Sequence, residues 1–106
     1  MNFRGGMSEL MRQAARLQRK IEQTKAECKD KEITAGAVGD KVKATVTYEG
    51  KVSRIEVDKA FLESEGLDLA LDSVVIAVNA AMEQAHKAME AEVEKATGGV
   101  KIPGLT

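Results

Sequence analysis

The sequence predicts a small α+β protein in which two long helices flank a short antiparallel meander of three strands. Two stretches, residues 7–30 and 68–97, lack Gly and Pro and repeat apolar residues at heptad spacing, which is typical of long amphipathic helices. The stretch between them, residues 32–58, alternates polar and apolar residues, which is typical of strands. A chain of 106 residues has room for a single domain, which we assign to residues 1–106.

The first helix is predicted to begin after a flexible lead-in, residues 1–6, which contains the pair Gly5-Gly6. Ser8 is a plausible N-cap, because its hydroxyl can accept from a free N–H of the first turn. The spacing predicts an apolar seam along one side of this helix, formed by Met7, Leu10, Ala14, Leu17, Ile21, Thr24 and Cys28.

The middle stretch is predicted to form strands. Polar and apolar residues alternate strictly in residues 41–48. This pattern places on one face of the strand Val42, Ala44, Val46 and Tyr48. Glu49-Gly50 supplies a turn, and residues 51–58 form the next strand, with inner residues Ser53, Ile55 and Val57. Residues 32–35 are interpreted as a shorter first strand.

The second long helix follows a single predicted helical turn at residues 59–63. Its apolar stripe at heptad spacing comprises Leu71, Val75, Val78, Met82, Ala85, Met89 and Ala96, and is widened by Val74, Ala81 and Val93. Gly98-Gly99 ends the helix, and the tail at residues 98–106 is too short and broken for regular structure.

Several classes of protein are excluded. The longest apolar run has five residues, against about 20 for a membrane helix, and the N-terminus lacks the apolar stretch of a secretory signal. The lone Cys28 is expected to pack in the seam, and the lone His86 to be a boundary residue without a metal. We therefore expect a cytoplasmic protein with no catalytic residues, no metal or other cofactor, and no membrane partner.

Length arguments predict a homodimer. Helices of about 35–45 Å flank strands of only about 27 Å, so their apolar stripes must overhang the sheet. A second copy that pairs edge strands or mates helices would cover the exposed apolar surface.

The charge is unevenly distributed although the net charge is −1. Residues 1–31 carry +4 and residues 58–106 carry −5. Arg12, Arg16 and Arg19 share one helical face beside Lys20, and no acidic residue lies between Arg12 and Lys20. Such cations can contact successive DNA phosphates. Alternatively, these cations form a solvated helix face, or they pair with an acidic run in the second helix. That run, which by itself resembles a solvated acidic face, consists of Glu90, Glu92 and Glu94.

The order of elements and three short motifs resemble the YbaB/EbfC family of bacterial nucleoid-associated proteins along essentially the whole chain. The motifs are Phe3-Arg4-Gly5-Gly6-Met7, the stretch from Val74 to Ala81, and Ile102-Pro103-Gly104-Leu105. The resemblance implies a tweezer-like homodimer joined through its central sheet, with projecting helices that bind DNA without enzymatic activity. It also implies a role in nucleoid organisation or gene regulation.

The resemblance and the charge pattern meet on the same residues, so Arg12, Arg16, Arg19 and Lys20 are the predicted contacts to double-stranded DNA. A cytoplasmic protein of the nucleoid is expected. The alternative is a protein-interaction module that acts with replication or recombination machinery without touching DNA.

Overall fold

The structure, a computed structural model, describes residues 3–99. Its elements are α1 (Phe3–Cys28), β1 (Glu32–Ala37), β2 (Val42–Thr47), β3 (Val52–Val57), α2 (Lys59–Glu65) and α3 (Leu67–Thr97). This order confirms the predicted α+β architecture. The motif Ile102-Pro103-Gly104-Leu105 and most of the predicted tail lie outside the described residues.

Helix α1 begins at Phe3, four residues before the predicted start at Met7. Ser8 therefore lies inside the helix, and its assignment as the N-cap is wrong. The pair Gly5-Gly6 was predicted to lie in a flexible lead-in before the helix. Each Gly lowers helix stability by only about 1 kcal/mol relative to Ala, so the pair does not prevent the helix from continuing through it.

The sheet is antiparallel in the order β1-β2-β3. As predicted, the inner face of β2 is buried at Val42, Ala44 and Val46. Tyr48 lies beyond the end of β2 and is only half-buried. Strand β1 continues to Ala37, two residues farther than predicted.

A bulge changes the inner face of β3. The register pairs Ala44 with Ile55 but Val46 with Val52, so Ser53 has no partner in the ladder. Val52 thus takes the inner position predicted for Ser53, because directly opposed residues of antiparallel strands point to the same side. The Ser53 hydroxyl lies 2.7 Å from Glu32 Oε2 and 3.2 Å from the Thr45 carbonyl oxygen.

Helix α3 packs on the sheet through small side chains, and only Ala81 and Ala85 of these belong to the predicted stripe. The buried strip recurs every three or four residues and comprises Ala70, Ser73, Ala77, Ala81 and Ala85. Leu71 and Val75, which belong to the predicted apolar stripe, are 53% and 58% exposed. Small side chains let the helix backbone approach β1 and β2 closely, and this packing decides which face is buried.

The close approach of α3 makes Ala81 sensitive to side-chain volume. Ala81 is fully buried, so Ala81→Leu is expected to lower the free energy of unfolding by about 1–3 kcal/mol through overpacking. Urea denaturation followed by circular dichroism measures the change. Ala91→Leu, at an exposed position of the same helix, should leave stability within about 0.5 kcal/mol of the parent protein. Equal effects of the two substitutions would contradict this packing.

The molecule is elongated, and α1 projects from one end. The longest dimension is 74 Å, whereas α3 and α1 alone are about 46 Å and about 39 Å long. The two helices therefore overlap by only about 10 Å, at the part of α1 where Ile21 and Cys28 are buried. The remainder, residues 3–20, is here called the arm. Its apolar residues Met7, Leu10 and Met11 are exposed, as the overhang argument predicted.

Candidate nucleic-acid interface

The four predicted DNA contacts lie together on the arm. Arg12, Arg16, Arg19 and Lys20, here called the basic face, are all exposed. Helical spacing places the three arginines on the side of α1 roughly opposite Ile21, which is buried where α1 packs on α3. Packing within the protomer therefore leaves these side chains accessible to a ligand.

The basic face is almost free of internal ion pairs. Arg12 Nη1 lies 3.2 Å from Glu9 Oε2, one helical turn away, and both side chains are exposed. Such a surface pair contributes about 0–1 kcal/mol to stability, so another anion can readily replace Glu9 at Arg12. Among residues 3–99, no ion pair involves Arg16, Arg19 or Lys20.

The acidic run of α3 does not neutralise the basic face. Glu90 Oε1 lies 2.6 Å from His86 Nε2, and Glu92 pairs with Lys31 and Lys95. The alternative in which Glu90, Glu92 and Glu94 pair with the arginines is therefore wrong for the part of the chain that the structure describes.

Glu92 instead forms a cluster that sequence analysis missed. The Cys28 thiol and the Lys31 ammonium both donate to Glu92 Oε2, at 3.3 Å and 3.0 Å. The Lys95 ammonium lies 3.2 Å from Oε1 of the same carboxylate. We call these four residues the joint, because they connect the end of α1 to α3. Glu92 is thus only partly exposed, and its assignment to a solvated acidic face is wrong.

Hydrogen bonds within the joint shift the pKa values of Glu92, Lys31 and Cys28. The hydrogen bonds from Lys31, Cys28 and Lys95 lower the pKa of Glu92 from 4.5 to about 2. The hydrogen bond to Glu92 raises the pKa of Lys31. Burial and the hydrogen bond to Glu92 raise the pKa of the Cys28 thiol, which is 5% exposed. Cys28 is therefore a packed, weakly reactive thiol, in agreement with its predicted place in the seam.

The lowered pKa of Glu92 predicts a specific loss of stability in acid. The folded state favours the ionised carboxylate, so its contribution is fully present above about pH 5 and is lost as the pH falls toward the folded pKa of about 2. Glu92→Ala is therefore expected to lower the melting temperature at pH 7, and the difference from the parent protein should shrink between about pH 5 and pH 2. Thermal unfolding at a series of pH values measures it.

Glu94→Ala is the matched control. It removes the same negative charge two residues after Glu92, and the Glu94 carboxylate does not belong to the joint. It should show no such convergence with the parent protein in acid. A difference between Glu92→Ala and the parent protein that stays constant down to pH 2 would contradict the assigned role of the Glu92 carboxylate.

The described residues offer little for other chemistry. Within residues 3–99 there is no group of three or more His, Cys, Asp or Glu side chains that could hold a metal ion. No helix in this part of the chain is both long and apolar enough to cross a membrane.

The fold and the exposed basic helix are accompanied by a clear family relationship. Residues 3–100 match the YbaB/EbfC DNA-binding family, and the chain belongs to that family. This confirms the family indicated by the sequence motifs. It is a family of DNA-binding proteins, not of enzymes, as the sequence predicted.

Bacterial relatives of similar length support the assignment. A nucleoid-associated protein of Clostridium acetobutylicum is 32% identical over 101 residues, covering 95% of this chain and 90% of the relative. One from Alkaliphilus metalliredigens is 33% identical over 99 residues, covering 93% and 87% of the two chains. The crystal structure of an uncharacterized Helicobacter pylori protein has the same fold, with a TM-score of 0.60 at 15% identity, over 74% of this chain and 90% of that one.

Proposed function

We propose that this protein binds duplex DNA of the bacterial nucleoid as a homodimer, through Arg12, Arg16, Arg19 and Lys20 of each protomer. The observation that carries the proposal is an exposed basic face, almost free of internal ion pairs, on a projecting helix of a chain from a DNA-binding family. Binding of this kind supports nucleoid organisation and gene regulation by a cytoplasmic protein.

The chemistry of the basic face suits the phosphate backbone. Arg binds phosphate bidentately, and each contact releases a counterion from the duplex. From Arg12 to Lys20 the helix rises about 12 Å, which corresponds to the axial rise of three to four nucleotides of the duplex at about 3.4 Å each. Contacts to phosphates position a protein without reading bases, so we expect weak or shape-dependent sequence preference.

An uncovered apolar surface outside the arm supports the proposed homodimer. Helix α3 packs chiefly on β1 and β2, which leaves Val52 and Ile55 of β3 46% and 38% exposed. Together with the exposed Leu71 and Val75 of α3, they form what we call the apolar face.

The two halves of the apolar face belong to one surface. Met82 lies on the same flank of α3 as Leu71 and Val75, at spacings of 11 and 7 residues. A Cβ atom built at Gly50, in the turn before β3, would lie 3.9 Å from Met82 Sδ. That flank of α3 is therefore turned toward β3.

A second copy suits this surface because β3 is an edge strand. The unpaired edge presents backbone donors and acceptors that another β3 can satisfy, while apolar side chains are buried against their equivalents. Sedimentation equilibrium at micromolar concentration should give about twice the chain mass of 11.4 kDa. A mass of 11.4 kDa would overturn the dimer.

The alternative is a protein-interaction module that acts with replication or recombination proteins. It is favoured by the exposed Met7, Leu10 and Met11 of the arm, which DNA phosphates would not cover. A gel-shift assay with a duplex of about 30 base pairs at low salt distinguishes the two functions. Retention of the duplex is expected, whereas absence of retention would favour the interaction module.

A further inference from the structure

The arm is attached to the rest of the molecule through a small area. Helix α1 packs chiefly on α3, and the two overlap for only about 10 Å of their lengths. Few contacts therefore decide the direction in which the arm projects.

The joint lies where α1 ends and connects three parts of the fold. The Lys31 N–H donates to the Cys28 carbonyl at 3.1 Å, and the Tyr48 N–H donates to the Lys31 carbonyl at 2.8 Å. The Lys31 side chain meanwhile donates to Glu92. Lys31 thus links the end of α1, the end of β2 and the helix α3. The Glu92 carboxylate accepts from the Lys31 side chain and also binds Cys28 and Lys95.

We infer that Glu92 is a positioning residue for DNA binding: by holding Cys28, Lys31 and Lys95 together, it fixes the angle at which the arm leaves the molecule. Glu92 itself does not touch DNA. The inference rests on the proposed function, because the angle matters only if the basic face binds phosphates.

The length of the arm amplifies small changes at the joint. Arg12 lies 16 residues before Cys28, which is about 24 Å along the helix axis. A rotation of about 10° at the joint moves Arg12 by about 4 Å. That displacement is comparable to the axial rise of about 3.4 Å per nucleotide of the duplex, so a loosened joint moves the cations of the basic face away from the phosphates they would contact.

Charge alone predicts the opposite effect, which makes the inference testable. Glu92→Ala removes a negative charge from a DNA-binding protein, and electrostatics by itself would strengthen binding to an anionic duplex. Loss of positioning weakens binding. The sign of the change therefore distinguishes the two effects.

The experiment measures the affinity of the full chain for a duplex of about 30 base pairs by fluorescence anisotropy, at several salt concentrations and at a temperature where each variant is folded by circular dichroism. We expect Glu92→Ala to bind about three- to tenfold more weakly, with a shallower salt dependence because fewer phosphates are engaged together. Glu94→Ala, the matched control, should bind as the parent protein does or slightly more tightly. Equal or tighter binding by Glu92→Ala would overturn the inference.

A second pair of variants tests the joint without changing any charge. Cys28→Ser replaces the thiol with a hydroxyl that can also donate to Glu92, and Cys28→Ala removes the donor. We expect Cys28→Ser to retain nearly full affinity and Cys28→Ala to lose about two- to fivefold. Equal affinities of these two variants would contradict the inference even if Glu92→Ala failed to fold. Failure of the parent protein to bind DNA would instead refute the proposed function.

Discussion

Replacing Arg12, Arg16 and Arg19 together by Glu is expected to abolish binding of duplex DNA. The triple substitution changes the charge of each protomer by −6 and turns a phosphate-binding face into a repulsive one. Affinity should fall by at least about 100-fold at low salt, since phosphate contacts supply most of the affinity of such complexes. Gel shift or fluorescence anisotropy with a duplex of about 30 base pairs measures the loss.

A control with the same change of charge separates the local effect from that of net charge. The residues Lys41, Lys51 and Lys59 are exposed in the sheet-bearing part of the molecule, outside the arm. Their joint replacement by Glu should weaken binding much less than the arginine triple. Unchanged DNA binding by the arginine triple would exclude the basic face and favour the protein-interaction alternative.

The second large effect is expected from the apolar face. The double substitution Ile55→Asp and Val75→Asp places charges on a surface that a second copy is proposed to bury. It should convert the dimer to a monomer of 11.4 kDa, as measured by sedimentation equilibrium. DNA affinity should fall by about 100-fold or more, because two linked basic faces bind with an avidity that a single face lacks.

Val38→Asp is the matched control for exposed apolar surface. Val38 is 50% exposed in the loop between β1 and β2, outside the apolar face, so this variant should remain dimeric and bind DNA normally. A dimer that survives the double substitution would show that the copies meet elsewhere.

The sequence predicted the elements of the fold but not all of their buried faces. Heptad spacing located α3 to within one residue, yet it placed the exposed Leu71 and Val75 on the same stripe as the buried Ala85. Spacing shows which residues share a face, and the tight fit of Ala77 and Ala81 on the sheet decides which face is covered. The sequence also did not show that Val52 takes the inner position predicted for Ser53, because a bulge shifts the alternation by one residue.

The sequence likewise predicted only part of the candidate site. The grouping of Arg12, Arg16 and Arg19 on one face follows from spacing within a single helix, so the sequence predicted it directly. The joint could not be predicted, because Glu92 is 61 residues from Lys31 and 64 from Cys28, and only the folded chain brings them together. The acidic run around Glu92 was therefore interpreted as solvated, although part of it holds the arm in place.

The salt dependence of affinity tests most directly whether the basic faces of two protomers bind DNA phosphates. If all four cations of each protomer in the dimer are engaged, about eight phosphates are neutralised, and the logarithm of the binding constant should fall with the logarithm of sodium chloride concentration with a slope of about −7. A slope near −2, or no binding even at low salt, would contradict the account.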